Sequence, residues 1–385
     1  MSTPAKRKST ATDLFVHPSP LKWLLLFIAA LVTVAPTASA QFNGIGGYDL
    51  KSPADLAFAF DYQSTGHLDH IVLYRPGTGT IFIEEKENGA YVPVFMSFNG
   101  IGGYDLALPS DRIIAFDYNG SGHADHLLCY RPGTGTVWIL ANINGQFFPV
   151  YLSFNGIGGY DVRSPADRII SFDYDGSGRY DHLVLYRPGT GTVFIVKNTA
   201  GVFTDVVEAR NGIGGYDLLS PSDRLVAFDY YSIGTADHLV AYRPGSGTAF
   251  VLENTNGSGT FTPLQTSFNG IGGYDLKLTS DQLVAYDYCG TGSQDHLIAY
   301  RPGTGIGFVI QSAYFVYSPA FASFNGIGGY DLRSTADRIF PFDYSSTGIV
   351  GTLALYRPGS GVFFIQANQC GTFTDGHAGL PTTSN

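Results

Sequence analysis

Along the chain, short runs of apolar and aromatic residues alternate with stretches rich in glycine, proline and aspartate, and the alternation keeps one period. Residues 168–208 show the unit. RIISFDY reads as a strand, DGSGRYD as a turn or loop, HLVLYR as a second strand and PGTG as a turn. TVFIVKN is a third strand, TAG a turn and VFTDVVE a fourth strand. β-Branched and aromatic side chains suit a pleated surface, and Gly, Pro, Asn and Asp punctuate it. HLVLYR is apolar at nearly every position, as expected of a strand covered on both faces.

The heptapeptide NGIGGYD begins at Asn43, Asn99, Asn155, Asn211, Asn269 and Asn325, at spacings of 56, 56, 56, 58 and 56 residues. The two extra residues fall in ENTNGSGTF, a hairpin tip of the fourth copy. A lone four-stranded sheet would leave both faces wet, so the units must stack. Six such units in radial array predict an all-β fold, a six-bladed β-propeller of four-stranded, ~56-residue repeats. The blades fall at about 42–97, 98–153, 154–209, 210–267, 268–323 and 324–375, with a C-terminal tail over 376–385. The alternative is an open β-solenoid, whose turns are usually shorter and less aromatic. In the sixth copy Pro341 interrupts the first strand, which fits an edge strand or bulge, and TGIVGT replaces the loop.

Residues 1–40 are a separate segment. Lys6, Arg7, Lys8 and Lys22 precede the apolar run Trp23–Ala35, and TASA ends at Ala40. That is the layout of a secretory signal cleaved after Ala40, with an uncleaved anchor as the alternative. The expectation is a secreted protein with no membrane insertion after cleavage. Taking four Lys/Arg and one Asp from the chain totals of 22 and 32 leaves 18 and 31, a net charge of −13. So acidic a surface repels nucleic acid and attracts cations. The cysteines, Cys129, Cys289 and Cys370, follow no metal-binding spacing. Cys129 reads as a small core residue; a Cys289–Cys370 bridge is left open by the sequence.

The loop after each first strand carries the candidate chemistry. Its first position is Asp61, Asp117, Asp173, Asp229, Asp287 or Asp343, and its sixth is always glycine. Its ninth is Asp69, Asp125, Asp181, Asp237 or Asp295, then Gly351 in the last copy. Calcium takes six to eight oxygens, and a loop offering oxygens at positions 1, 3, 5 and 9 can wrap one ion about a glycine turn. The third copy (Asp173, Asp175, Ser177, Asp181) is the best endowed, followed by the second (Asp117, Asn119, Ser121, Asp125) and the first (Asp61, Gln63, Thr65, Asp69). The fifth offers Asp287, Thr291 and Asp295 around Cys289; the fourth and sixth lose oxygens. Ca²⁺ is therefore expected in two to four loops. The bland reading of the same aspartates is that they cap turns by accepting backbone N–H groups. Asn119 and Asn256 both begin NGS, an N-glycosylation acceptor sequence.

The segment FDYDGSGRYDHLVLYRPGTGTVFI, with FNGIGGYD before it, resembles the FG-GAP (VCBS) repeat of integrin α-subunit propellers and many secreted proteins. The resemblance extends over all six copies. It implies a propeller with calcium loops near the blade tips, used in adhesion or ligand recognition. Loops of that family usually carry Asp or Asn at positions 3 and 5; here position 5 is a hydroxyl in five copies.

Two further sets recur. Arg75, Arg131, Arg187, Arg243, Arg301 and Arg357 stand in YRPG, and aspartates recur in and after GGYD. Blade-to-blade ion pairs are the structural expectation for them. The functional alternative is a ring of pockets in which each Arg and Asp joins Tyr48, Tyr104, Tyr160, Tyr216, Tyr274 or Tyr330 to hold a sugar. The histidines after the ninth-position aspartate read as packed residues opening a buried strand. A catalytic site should break the symmetry, and no unique nucleophile or acid–base pair stands out. The sequence therefore points to a multivalent, lectin-like binding or adhesion protein whose partner is a glycan or a cell-surface protein. A polysaccharide hydrolase or lyase using the channel, or a scaffold without a ligand, are the alternatives.

Overall fold

The computed structural model describes residues 39–313, 316–368, 370, 371 and 373. The expected leader, up to residue 38, and the tail over 376–385 lie outside these residues. Six antiparallel sheets of four strands make up the described chain. In the third blade the strands are Arg168–Phe172, His182–Arg187, Thr192–Thr199 and Val202–Ala209, paired in sequence order. The same plan holds in blades one to five, and each carries a register shift between the third and outer strands, at Ile195/Val196 in the third. No helix among the described residues is long and apolar enough to cross a membrane.

Burial explains the stacking. Phe172, Val184, Tyr186 and Ile195 of blade three form one buried cluster with Ile213, Leu218, Leu239 and Leu252 of the fourth repeat. Five more clusters of this kind straddle the other blade boundaries, including that between the sixth and first blades. The ring therefore closes, and its hydrophobic core is six inter-blade layers.

The NGIGGYD segment straps neighbours together. Gly100 N–H donates to Gly79 O of the preceding repeat at 2.7 Å, and Gly77 N–H donates to Leu106 O at 2.9 Å. Ile101 and Tyr104 exchange backbone hydrogen bonds, which close the segment into a tight turn. On the side toward the sheets, Asn142, Asn198, Asn254 and Asn368 each donate Nδ2 to a tyrosine carbonyl of the blade before. Lys86 Nζ does the same to Tyr344 O across the sixth and first blades, at 2.6 Å.

The sixth blade differs from expectation. Its own repeat supplies Arg338–Phe342, Thr352–Arg357 and Val362–Ala367, and its outer strand is Ser39–Gln41. Ser39, Ala40 and Gln41 pair with Ile365, Phe364 and Phe363. The blade boundary at 324–375 thus misses one strand, which comes from the other end of the chain. Pro341 lies in the innermost strand, at a sheet edge, where its missing N–H costs no ladder bond.

Candidate functional site

The six loops after the inner strands do not lie at outer blade tips. They meet around the propeller axis, where Gly66, Gly122, Gly178, Gly234, Gly292 and Gly348 line an opening of about 160 Å³. The first-position aspartates are buried there. Asp173 Oδ1 accepts Ser177 N–H at 2.8 Å and Oδ2 accepts Gly178 N–H at 2.7 Å. Asp61, Asp117 and Asp287 repeat this pattern with their own loops. Backbone N–H of Asp61 and Asp117 also donates to Ala124 O and Tyr180 O of the next blade. Burial outweighs these hydrogen bonds and raises the Asp61 and Asp117 carboxyls, and pushes Asp173 up to about 6.

The ninth-position aspartates face elsewhere. Asp69, Asp125, Asp237 and Asp295 each bind Nδ1 of the following histidine at 2.5–2.7 Å. Ser64 of blade one donates to Asp125 Oδ2 of blade two at 2.6 Å. Burial would raise Asp69, Asp125 and Asp295, but the histidine and serine hydrogen bonds prevail and hold them below the usual carboxylate range.

The expected calcium sets are brought together only in part. In Asp61, Gln63, Thr65 and Asp69; Asp117, Asn119, Ser121 and Asp125; and Asp287, Thr291 and Asp295, the first- and fifth-position oxygens lie 3.4–3.5 Å apart. The first carboxylate also accepts backbone N–H groups, and the ninth faces its histidine. Gln63 Nε2 binds Glu85 at 2.9 Å, Asn119 Oδ1 accepts Ser121 N–H at 3.0 Å, and Cys289 is joined to Cys370 in a disulfide. Of the third set, Asp173 and Ser177 bind each other, whereas Asp175 and Asp181 converge with His182, their ligand atoms all within 4.8 Å of one another. Asn119 is exposed, and the side chain of Asn256 lies outside the described residues.

The arginine sets are also corrected. Arg75 Nε and Nη2 grip Asp55 at 2.6 and 3.0 Å, and Nη2 holds Asp49 at 2.6 Å. Tyr48 Oη donates to Asp55 Oδ1 at 2.7 Å. All four residues belong to one repeat, so the pair is internal to a repeat and not blade-to-blade. The pattern recurs at Arg131, Arg187, Arg243, Arg301 and Arg357. Tyr48, Tyr104, Tyr160, Tyr216, Tyr274 and Tyr330 are each 2 % exposed and offer no face to a sugar. Asp55 and its five equivalents are buried, so each guanidinium neutralises a carboxylate that would otherwise be costly to desolvate.

A polar cleft of about 190 Å³ opens between blades three and four. Asp175 and Gly176 of blade three and Tyr231, Asp237, His238, Glu253 and Asn254 of blade four line it. Tyr231 is 46 % exposed and donates to Glu253 Oε1 at 3.0 Å. Asn254 Oδ1 and His238 Nε2 are buried without a hydrogen-bond partner. Polar atoms in that state call for a ligand or water to satisfy them. Sequence reasoning missed Tyr231, Glu253 and Asn254 because it treated the fourth loop as degraded. The signal was present: only this copy carries an aromatic residue at position 3, beside the lengthened hairpin. A separate ring of exposed side chains comprises Phe42, Phe98, Phe154, Phe268 and Phe324, with Arg210 at the equivalent position.

No family model matches the chain, and no curated protein matches it. Solved structures do. An Agrocybe aegerita lectin that recognises non-reducing terminal N-acetylglucosamine is similar at 17% identity, covering 88% of this chain and 89% of that one, with a TM-score of 0.54. The calcium-binding protein regucalcin of Agrobacterium tumefaciens aligns at 11% identity over 88% and 95% of the two chains, TM-score 0.46. The periplasmic gluconolactonase of Pseudomonas aeruginosa aligns at 10% identity over 67% and 68%, TM-score 0.38. At these identities the likeness concerns the propeller fold.

Proposed function

We propose that this protein is an exported carbohydrate-binding propeller whose best-formed site is the cleft between blades three and four. The observation that carries this reading is the pair of unpartnered buried groups, Asn254 Oδ1 and His238 Nε2, beneath an exposed Tyr231 flanked by carboxylates. A sugar ring can lie on the tyrosine face while its hydroxyls donate to Glu253, Asp237, Asn254 Oδ1 and His238 Nε2, whose Nδ1 donates to Asp237. The repeat places equivalent positions at the other blade boundaries with different side chains, so weaker sites there would add avidity to a multivalent surface. The lectin with the same overall arrangement, described as recognising a terminal N-acetylglucosamine, supports the choice of ligand class.

Export rests on the leader-like segment ahead of the Ser39–Gln41 strand, which a cut after Ala40 would truncate, so cleavage before Ser39 or a retained anchor fits the closed ring. It rests also on the Cys289–Cys370 disulfide, which suits an oxidising compartment. The FG-GAP resemblance rests on the repeat sequence alone, and the reading of function does not require calcium. A channel hydrolase or lyase finds less support. The axial opening is lined by six glycines and mainly small or apolar side chains, and the carboxylates there, Asp61 and Asp229, accept backbone N–H groups.

A glycan array followed by calorimetry tests the reading. The expected result is binding to a defined set of sugars, with Tyr231→Ala weakening it about tenfold or more, which is 1.4 kcal/mol. Phe98→Ala, on the separate phenylalanine ring, leaves that affinity unchanged. An array without binding, or turnover of a polysaccharide by the wild-type protein, overturns it.

A further inference from the structure

The third blade departs from its sisters at one point. In blades one, two, four and five the histidine that opens the second strand is hydrogen-bonded through Nδ1 to the aspartate before it. In blade three His182 Nδ1 lies 2.5 Å from Asp181 Oδ1, yet the two groups are not aligned for a hydrogen bond. Asp181 Oδ1 and His182 Nδ1 are left buried without an aligned hydrogen bond, and His182 Nε2, like His70 Nε2 and His238 Nε2, is buried without a hydrogen-bond partner. His182 is 1 % exposed and Asp181 8 %. The same loop is the only one with a carboxylate at position 3, Asp175, and that carboxylate comes within 4.8 Å of the other two.

We infer that Asp175, Asp181 and His182 form a site for a borderline divalent cation of the zinc class. Two carboxylates and one imidazole are a donor set that zinc accepts, with a further position open to water. Calcium takes oxygen ligands and gains nothing from an imidazole nitrogen. An ion there takes Asp181 Oδ1 and one ring nitrogen of His182 as ligands, together with Asp175. It also explains why the Asp–His hydrogen bond of the sister blades is absent where a third ligand is available. Two cationic side chains stand near, Lys197 Nζ at 3.9 Å from Asp175 Oδ2 and Arg179 Nε at 4.0 Å from Asp181 Oδ2. Both are partly exposed and can swing into solvent as the ion enters. The site does not depend on carbohydrate binding, although Asp175 also borders the cleft.

The test is calorimetric titration of the chelator-treated full chain with zinc chloride and, separately, calcium chloride, together with thermal melts. The expected result is one zinc ion per chain that raises the melting temperature, with calcium far weaker. Asp175 is an exposed loop residue, so Asp175→Asn should fold normally and lower zinc affinity at least about tenfold. The double variant Asp125→Asn/His126→Gln, at the matching pair of blade two, should retain full zinc affinity. Zinc binding that survives Asp175→Asn unchanged, an absence of zinc binding, or a preference for calcium each overturns the assignment.

Discussion

At the scale of single residues, comparison of equivalent positions is the sharpest tool this chain offers. Leu140, Val196, Leu252, Ile310 and Gln366 share one position in the third strand, and in blade one it is Glu84. Glu84 is wholly buried, both carboxylate oxygens lack partners, and burial pushes its pKa from 4.5 up to about 8. The folded state thus holds this proton more tightly than the unfolded chain does. Stability is full below about pH 4.5 and falls as pH rises toward 8, by on the order of 3–5 kcal/mol. Glu84→Leu should raise the melting temperature at pH 8 and flatten its dependence between pH 5 and 8. Melts that run parallel to wild type across that range would show that Glu84 does not titrate there. Local composition marks EEKE (84–87) as charge at a solvated hairpin, yet Glu84, just after the register shift in that strand, is buried.

At the scale of elements, turn chemistry was readable and the direction of lone pairs was not. The second and third strands fall where apolar runs and Pro-Gly turns put them, and the histidines pack as expected. An aspartate followed five residues later by glycine, however, serves a cation loop and a backbone-capped turn equally well. Only the fold reveals that Oδ1 and Oδ2 of Asp173 point at Ser177 and Gly178 N–H. The NGIGGYD strap shows the same logic from the glycine side. Gly156 has φ +80°, and a Cβ there would stand 1.7 Å from Tyr160 O. Gly156→Ala must open the turn that joins the second and third blades. Denaturant titration should show a loss of more than about 1–3 kcal/mol, whereas Gly215→Ala, with no neighbour within 4 Å of its Cβ, should cost less. Equal costs for the two would remove the turn from the list of essential joints.

At the scale of the whole molecule, the count of blades was legible because the repeat is nearly exact. The sixth blade's outer strand was not, because pairing between the two ends of a chain leaves no local trace. Ser39 and Ala40 belong to that strand, yet local composition marks them as the end of a leader. The disulfide was likewise beyond reach: Cys289 lies in the fifth loop, Cys370 follows the last strand of the sixth blade, and 81 residues separate them. Closing so long a loop restricts the unfolded chain, with a stabilisation of about 2–4 kcal/mol. Cys370→Ser should lower the melting temperature by several degrees, and reductant should do the same to the wild type but not to the variant. An unchanged melting temperature in both would show that the bridge adds nothing to a ring already shut by Ser39–Gln41.

That closure also dictates the order of events during synthesis. The strand at Ser39–Gln41 is the first of the described strands to leave the ribosome, and its partner, Val362–Ala367, the last. Until then the nascent protein is an arc with an uncovered blade face at either end. Each of the first five blades can form as it emerges, but the sixth cannot be completed until translation is almost over. Joining two ends so distant in sequence is the slowest kind of contact to make.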